Sequence, residues 1–158
     1  MTNNDCIFCQ IITGALPSHQ IWEGEGHIAF LSIFPNTKGF TVVIPKEHSA
    51  SNPFEQDDHI LHELLSATKQ VANTLVSYFP DVSRCGMFFE GFGVDHLHSK
   101  LSPMHGTGDM KTWKKIESKS ENTFFDAYPG HISSHDSHRA SDEELAKLAK
   151  SIRASYKI

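Results

Sequence analysis

Apolar and polar residues along this chain fall into short blocks, and each block carries the period of one kind of element. Ile7, Phe8, Ile11 and Ile12 recur at spacings near 3.6, which predicts a short helix closed by Gly14 and Pro17. Two β-like runs follow, Gln20 to Trp22 and His27 to Leu31, and the Glu-Gly-Glu-Gly between them predicts a hairpin. After a loop over Pro35 to Gly39, Phe40 to Ile44 is rich in β-branched residues and halts at Pro45, the pattern of a buried strand. From Pro53 to Phe79 the positions Ile60, Leu61, Leu64, Leu65, Ala67, Thr68, Val71, Ala72, Leu75 and Val76 recur at three- and four-residue steps. That spacing predicts one long amphipathic helix, ended by Pro80. Arg84 to Phe89 predicts a second central strand, and the two glycines within Glu90 to Val94 predict a tight turn. An extended segment runs from His96 to Pro103. Further on, Ser141-Asp142-Glu143-Glu144 is a capping-box pattern opening a helix with Leu145, Leu148, Ala149 and Ile152. The stretch from about Thr107 to Ala140 has no period, and its Trp113, Phe124, Phe125 and Tyr128 predict an ordered extension packed by aromatics.

Composition narrows the class. A chain of 158 residues is the size of one domain. With 39% hydrophobic and 10% aromatic residues it can build a core, and 21% charged residues suit a soluble surface. A formal charge of −5 gives no general attraction to a nucleic acid polymer or an anionic membrane, so any phosphate ligand is expected to be small. No apolar run approaches the roughly 20 residues that cross a bilayer, and Met1-Thr2-Asn3-Asn4-Asp5 is polar where a signal peptide is basic and then apolar; the expected location is the cytoplasm. Three cysteines in that setting argue against a disulfide framework, which leaves Cys6 and Cys9 as thiolates for a metal and Cys85 as a small buried residue. Eleven histidines are many for this length.

Two constellations carry chemistry. In an extended segment alternate side chains share a face, so His96, His98, Lys100 and Ser102 point one way and Leu97, Ser99, Leu101 and Pro103 the other. Two imidazoles and an ammonium in a row are poor material for a strand core; the row is either a reactive face or the solvent side of an edge strand. Separately, Cys6 and Cys9 on one turn can close an edge of a tetrahedron, which two histidines from elsewhere would complete. A thioredoxin-like redox pair is the alternative, but it follows a β-strand and opens a long helix, and only Met1 to Asp5 precede Cys6 here.

Taken in order, several segments resemble the histidine triad (HIT) superfamily of nucleotidyl hydrolases and transferases, particularly its zinc-containing bacterial members. They are Cys6-Ile7-Phe8-Cys9 with Gln-Ile-Ile-Thr-Gly behind it, Phe30-Leu31, Gly39 to His48, and His96-Leu97-His98-Ser99-Lys100-Leu101-Ser102-Pro103. The resemblance implies that His98 is the nucleophile that attacks an α-phosphorus and forms a nucleotidyl-histidine. It implies too that His48 and His96 join Cys6 and Cys9 as ligands of a structural zinc, and that two chains form a homodimer. A neutral imidazole with one free nitrogen is a good nucleophile near neutral pH. Lys100 stands where the signature has its third histidine and is expected to contact a phosphate oxygen as a point charge. Phe40 replaces a further histidine of the pattern, and Ser32 replaces the aspartate that often holds ribose hydroxyls.

The side chains Trp22, Phe30, Ile33 and Phe34 read first as core, with a wall around a nucleobase as the alternative; His105 could reach the same pocket. The expected fold is α+β and HIT-like: an antiparallel sheet of about five strands, one long helix packed on it, and a C-terminal extension. We expect one domain over 1–158, with its core over 5–106 and the extension over 107–158. The expected activity is hydrolysis of a nucleoside phosphoramidate or dinucleoside polyphosphate to a nucleoside monophosphate. A nucleotidyltransferase or phosphorylase using the same intermediate, and a nucleotide-binding module with little turnover, are its rivals.

Overall fold

The computed structural model of the chain describes residues 5–108, 126–127, 132 and 141–143. The chain divides into two compact units, Met1–Trp113 and Lys114–Ile158. In the first lie α1 (Ile7–Ile12), β1 (His19–Glu23), β2 (His27–Leu31), β3 (Thr41–Pro45), a 3-10 turn (Pro53–Glu55), α2 (Asp58–Tyr78), β4 (Val82–Phe88) and β5 (Ser99–His105). In the second, Asp142 and Glu143 are helical. Trp113, Phe124, Phe125 and Tyr128, and the residues Leu145, Leu148, Ala149 and Ile152 of the expected C-terminal helix, fall outside the described residues.

All five strands join one antiparallel sheet in the order β1-β2-β3-β5-β4. The sheet with its long helix is the α+β architecture expected from the sequence. Both faces of the sheet's middle are covered, which is why β3 reads as a continuous apolar run and is buried at every position. Ala29, Val43, Leu97 and Leu101 face α2, where they pack with Leu64, Ala67, Val71 and Leu75. Ile28, Phe30, Val42 and Ile44 face the other way and pack with Cys6, Phe8 and Cys9 from the α1 turn. Strand alternation thus sorts one sequence run between two cores. The second of them joins the thiol pair to the sheet.

Three expectations need correction. Arg84 to Phe89 was read as central, yet β4 pairs only with β5 and lies at the sheet's edge. Cys85, and Phe89 just past the strand's end, are used against the α2 core, while Arg84 and Met87 are exposed. The long helix begins at Asp58 rather than Pro53. Asn52 accepts from the Phe54 amide at 3.1 Å and caps a separate 3-10 turn, after which Gln56 is extended (φ −86, ψ 152). Its far end meets expectation, since the helix stops at Tyr78 with Pro80 two residues on.

Finally, His96 and His98 precede the ladder, because β5 starts at Ser99. The His96 amide donates to Val94 at 2.8 Å in a tight turn, and the Leu97 amide donates to Ser49 at 2.9 Å. Alternation nonetheless runs through the segment: Leu97, Ser99 and Leu101 are buried toward α2, where the Ser99 hydroxyl meets that of Thr68 at 2.6 Å. His96, His98 and Lys100 are left on the opposite side.

Candidate catalytic and metal-binding site

Cys6, Cys9, His48 and His96 come together although they are separated by up to 90 positions. The α1 turn supplies the thiols, the segment after β3 supplies His48, and the turn before β5 supplies His96. Their four donor atoms lie within 4.8 Å of one another. Nδ1 of His96 is 3.5 Å from Sγ of Cys6 and 3.7 Å from Sγ of Cys9; Nδ1 of His48 is 3.4 Å from Sγ of Cys9 and 3.3 Å from Nδ1 of His96. A tetrahedral zinc with bonds of about 2.3 Å to sulfur and about 2.05 Å to nitrogen has edges of about 3.6 Å between S and N and about 3.3 Å between N and N. The donor set fits that ion in chemistry and in size. Nε2 of His96 lies 3.0 Å from the Pro45 carbonyl and so carries the hydrogen, which leaves Nδ1 free to ligate. Burial lowers the His96 pKa, which favours the neutral imidazole that a metal needs.

His98 lies two residues on, buried, with its ring edge-on to Phe8 at 5.6 Å between centroids. Its Nδ1 is 2.7 Å from the His96 carbonyl. A carbonyl only accepts, so Nδ1 holds the hydrogen and Nε2 keeps a lone pair. Desolvation pushes the His98 pKa down and the bond to the carbonyl opposes it, so the ring is held neutral. This is the protonation state a nucleophilic histidine requires.

The ring lines a cavity of about 600 Å³ with apolar walls, among them Ile7, Phe30, Ile33, Phe34, Phe40 and Phe92. Ile33 and Phe34 are 71% and 86% exposed, which suits a rim rather than a core. Of the aromatics read first as core, Phe34 therefore borders the cavity, Phe30 belongs to the second core and also lines the cavity, and Trp22 packs against the α2 core. His105 does not reach it. Its Nδ1 is 3.0 Å from Asp81 and its Nε2 is 3.0 Å from the Lys38 carbonyl, on the side of Phe79. Ser32 lines the cavity and its hydroxyl accepts from the Phe34 amide at 3.1 Å.

Lys100 also borders the cavity, and burial lowers its pKa. Its ammonium is ion-paired with Glu90, a residue that reading the sequence passed over. The signal was faint: Lys100 pairs in register with Phe88, and Glu90 follows Phe88 by two, on the same face if the strand geometry continues. That register was not available without knowing which strands are neighbours. Among the described residues, no helix is long and apolar enough to cross a membrane.

Known proteins resemble this chain in sequence and in fold. The HIT domain family matches residues 13–105. Protein hit of Bacillus subtilis is 35% identical over 109 residues, which cover 66% of this chain and 74% of that protein. The adenosine 5′-monophosphoramidase hnt1 of Schizosaccharomyces pombe is 34% identical over 99 residues, covering 62% of this chain and 73% of that protein. Among solved structures, a HIT family protein from Bacillus anthracis superposes with a TM-score of 0.63 at 28% identity, covering 99% of this chain and 100% of that one. With the histidine-bearing segment before β5, the five-stranded sheet and the matched span in agreement, the chain belongs to the HIT family.

Proposed function

We propose that the protein is a nucleotide hydrolase that acts at the α-phosphate of a nucleoside phosphoramidate or dinucleoside polyphosphate, with His98 as nucleophile. The observation that carries this reading is the 2.7 Å contact from Nδ1 of His98 to the His96 carbonyl, which directs a lone pair on Nε2 away from that bond in a residue lining the cavity. Similarity to the phosphoramidase hnt1 supports the substrate class. In the first step Nε2 forms a bond to phosphorus while the bond from phosphorus to the leaving amine or phosphate oxygen breaks, and that group departs with the bonding pair and takes up a proton. In the second, a water oxygen bonds to phosphorus, the P–Nε2 bond breaks and returns its pair to the ring, and the water's proton is released. The products are a nucleoside monophosphate and the freed leaving group. Lys100 holds a phosphate oxygen through one of its three N–H bonds while another remains with Glu90.

Cys6, Cys9, His48 and His96 are the residues that would hold zinc. When bound, that ion supplies folding energy rather than an activated water, because four protein ligands fill its shell. In this reading the protein works in the cytoplasm as a homodimer; β4 is paired on one side only among the described residues and exposes Met87, which gives a second copy an edge to meet. A binding module with little turnover is the second reading, and the Glu90–Lys100 pair favours it, since the cation at the site already has a partner.

The test is a panel of nucleoside phosphoramidates and dinucleoside polyphosphates offered to wild type and to His98→Ala. Wild type should release nucleoside monophosphate and His98→Ala should not, while remaining folded. Equal rates of release in the two proteins would overturn His98 as the nucleophile, and binding without release in wild type would establish the second reading.

A further inference from the structure

The charges around the cavity say which of the two substrate classes fits, given that His98 acts on a phosphate as proposed above. Among the described residues lining the cavity, Lys100 is the one with a formal charge when His98 is neutral. Glu90 is ion-paired with it, and both side chains are largely withdrawn from water, at 25% exposed for Lys100 and 15% for Glu90. At contact range an incoming oxygen meets the ammonium first and is attracted. Further away the carboxylate cancels the ammonium, so additional negative charges on the substrate gain nothing from the pair. The walls offer no compensation: Ile7, Phe30, Ile33, Phe34, Phe40 and Phe92 provide apolar surface where further phosphates would have to lose their hydration.

We propose that Glu90 is a specificity-determining residue: by neutralising Lys100 it limits the site to substrates that carry a single negative charge overall, the phosphoramidate monoester of a nucleoside, and disfavours polyphosphates. Glu90 acts here through Lys100. It is a positioning and charge-balancing group, and nothing requires it to touch the substrate.

The experiment compares kcat/KM for adenosine 5′-phosphoramidate, which carries one negative charge, with that for diadenosine tetraphosphate, which carries several. Wild type should prefer the phosphoramidate, and its rate on the tetraphosphate should change little with ionic strength. In Glu90→Gln the ammonium is unbalanced, so the preference should fall by about tenfold or more and the tetraphosphate rate should become strongly salt-dependent. Glu90→Asp, which restores the charge, should return the preference toward the wild-type value; a merely structural role for Glu90 would alter both substrates alike. An unchanged ratio in folded Glu90→Gln would overturn this inference and leave the hydrolase reading intact. If the glutamine variant does not fold, wild type still decides: a preference for the tetraphosphate, or a steep loss of its rate with salt, overturns the inference. Failure of wild type to cleave either probe overturns both this inference and the hydrolase reading.

Discussion

The backbone carbonyl of His96 accepts from Nδ1 of His98 at 2.7 Å, while the ring of the same His96 turns its own Nδ1 to within 3.5 Å of the Cys6 thiol. One residue therefore belongs to the four-ligand cluster by its side chain and orients the neighbouring histidine by its main chain. Zinc held there as proposed would support both arrangements, and its removal should disturb both. Zinc analysis of the purified protein should find about one equivalent, and Cys9→Ser or chelation should lower the thermal midpoint by on the order of 10 °C, because binding energy at such a site is folding energy. The His98 ring resonances should shift in the same sample. Full zinc content in a Cys6→Ser/Cys9→Ser protein would remove the assignment of this cluster.

The strand that carries Lys100 is held to the helix by a buried pair of hydroxyls. Thr68 donates to the Leu64 carbonyl at 2.7 Å, so Ser99 donates to Thr68 across the 2.6 Å contact. Thr68→Val leaves the Ser99 hydroxyl buried without its acceptor and should cost about 1–3 kcal/mol of stability. Adding Ser99→Ala should recover part of that loss, and a double-mutant cycle by denaturant unfolding measures the coupling. Equal stability of wild type and Thr68→Val would contradict the arrangement.

His105 gives the pH prediction. Both of its neighbours are acceptors, the Lys38 carbonyl at Nε2 and the Asp81 carboxylate at Nδ1, so both nitrogens donate and the imidazolium is favoured. The bond to the Lys38 carbonyl and then the bond to Asp81 raise its pKa above the ordinary histidine value. A raised folded-state pKa contributes stability that is fully present below the unfolded value and is lost as pH rises through the folded one. Titration followed by NMR should therefore give His105 a midpoint above that of an exposed reference histidine, and His105→Gln should flatten the fall in stability as pH rises from the ordinary histidine value through the raised one. A midpoint at or below the reference would show that the pairing does not persist in solution.

Lys100 is tested through its partner. Lys100→Ala strands the largely buried Glu90 carboxylate, so it should lose stability as well as turnover. In Lys100→Ala/Glu90→Gln the unpaired charge is gone. Stability should largely return while kcat/KM stays at least about tenfold below wild type, since the phosphate contact is still missing. Recovery of both properties together would make the lysine a structural partner only.

Much of this could be read in the chain because local period and burial agree. The α1 turn, the β1–β2 hairpin, β3 and most of α2 follow from spacing alone, and the Cys6-x-x-Cys9 turn marks half of the ligand cluster. What the sequence hid depends on which strands become neighbours. The edge position of β4 is decided by β5 inserting beside β3, and neither run carries that in its own pattern. The Glu90–Lys100 pair rests on the same pairing, and so was invisible until Phe88 was found opposite Lys100. Trp22 and His105 show the converse: as aromatics in short strands they could have faced either side, and the sheet gave them to the α2 side.

The central claim is that a phosphorus–nitrogen bond forms at His98. Rapid-quench mass spectrometry during turnover of a nucleoside phosphoramidate tests it most directly. The account predicts a peptide containing His98 that gains the mass of a nucleotidyl group, loses it in acid as a phosphoramidate does, and is absent in folded His98→Ala. Turnover at the wild-type rate in His98→Ala, or a nucleotidyl group trapped on another residue, would contradict it.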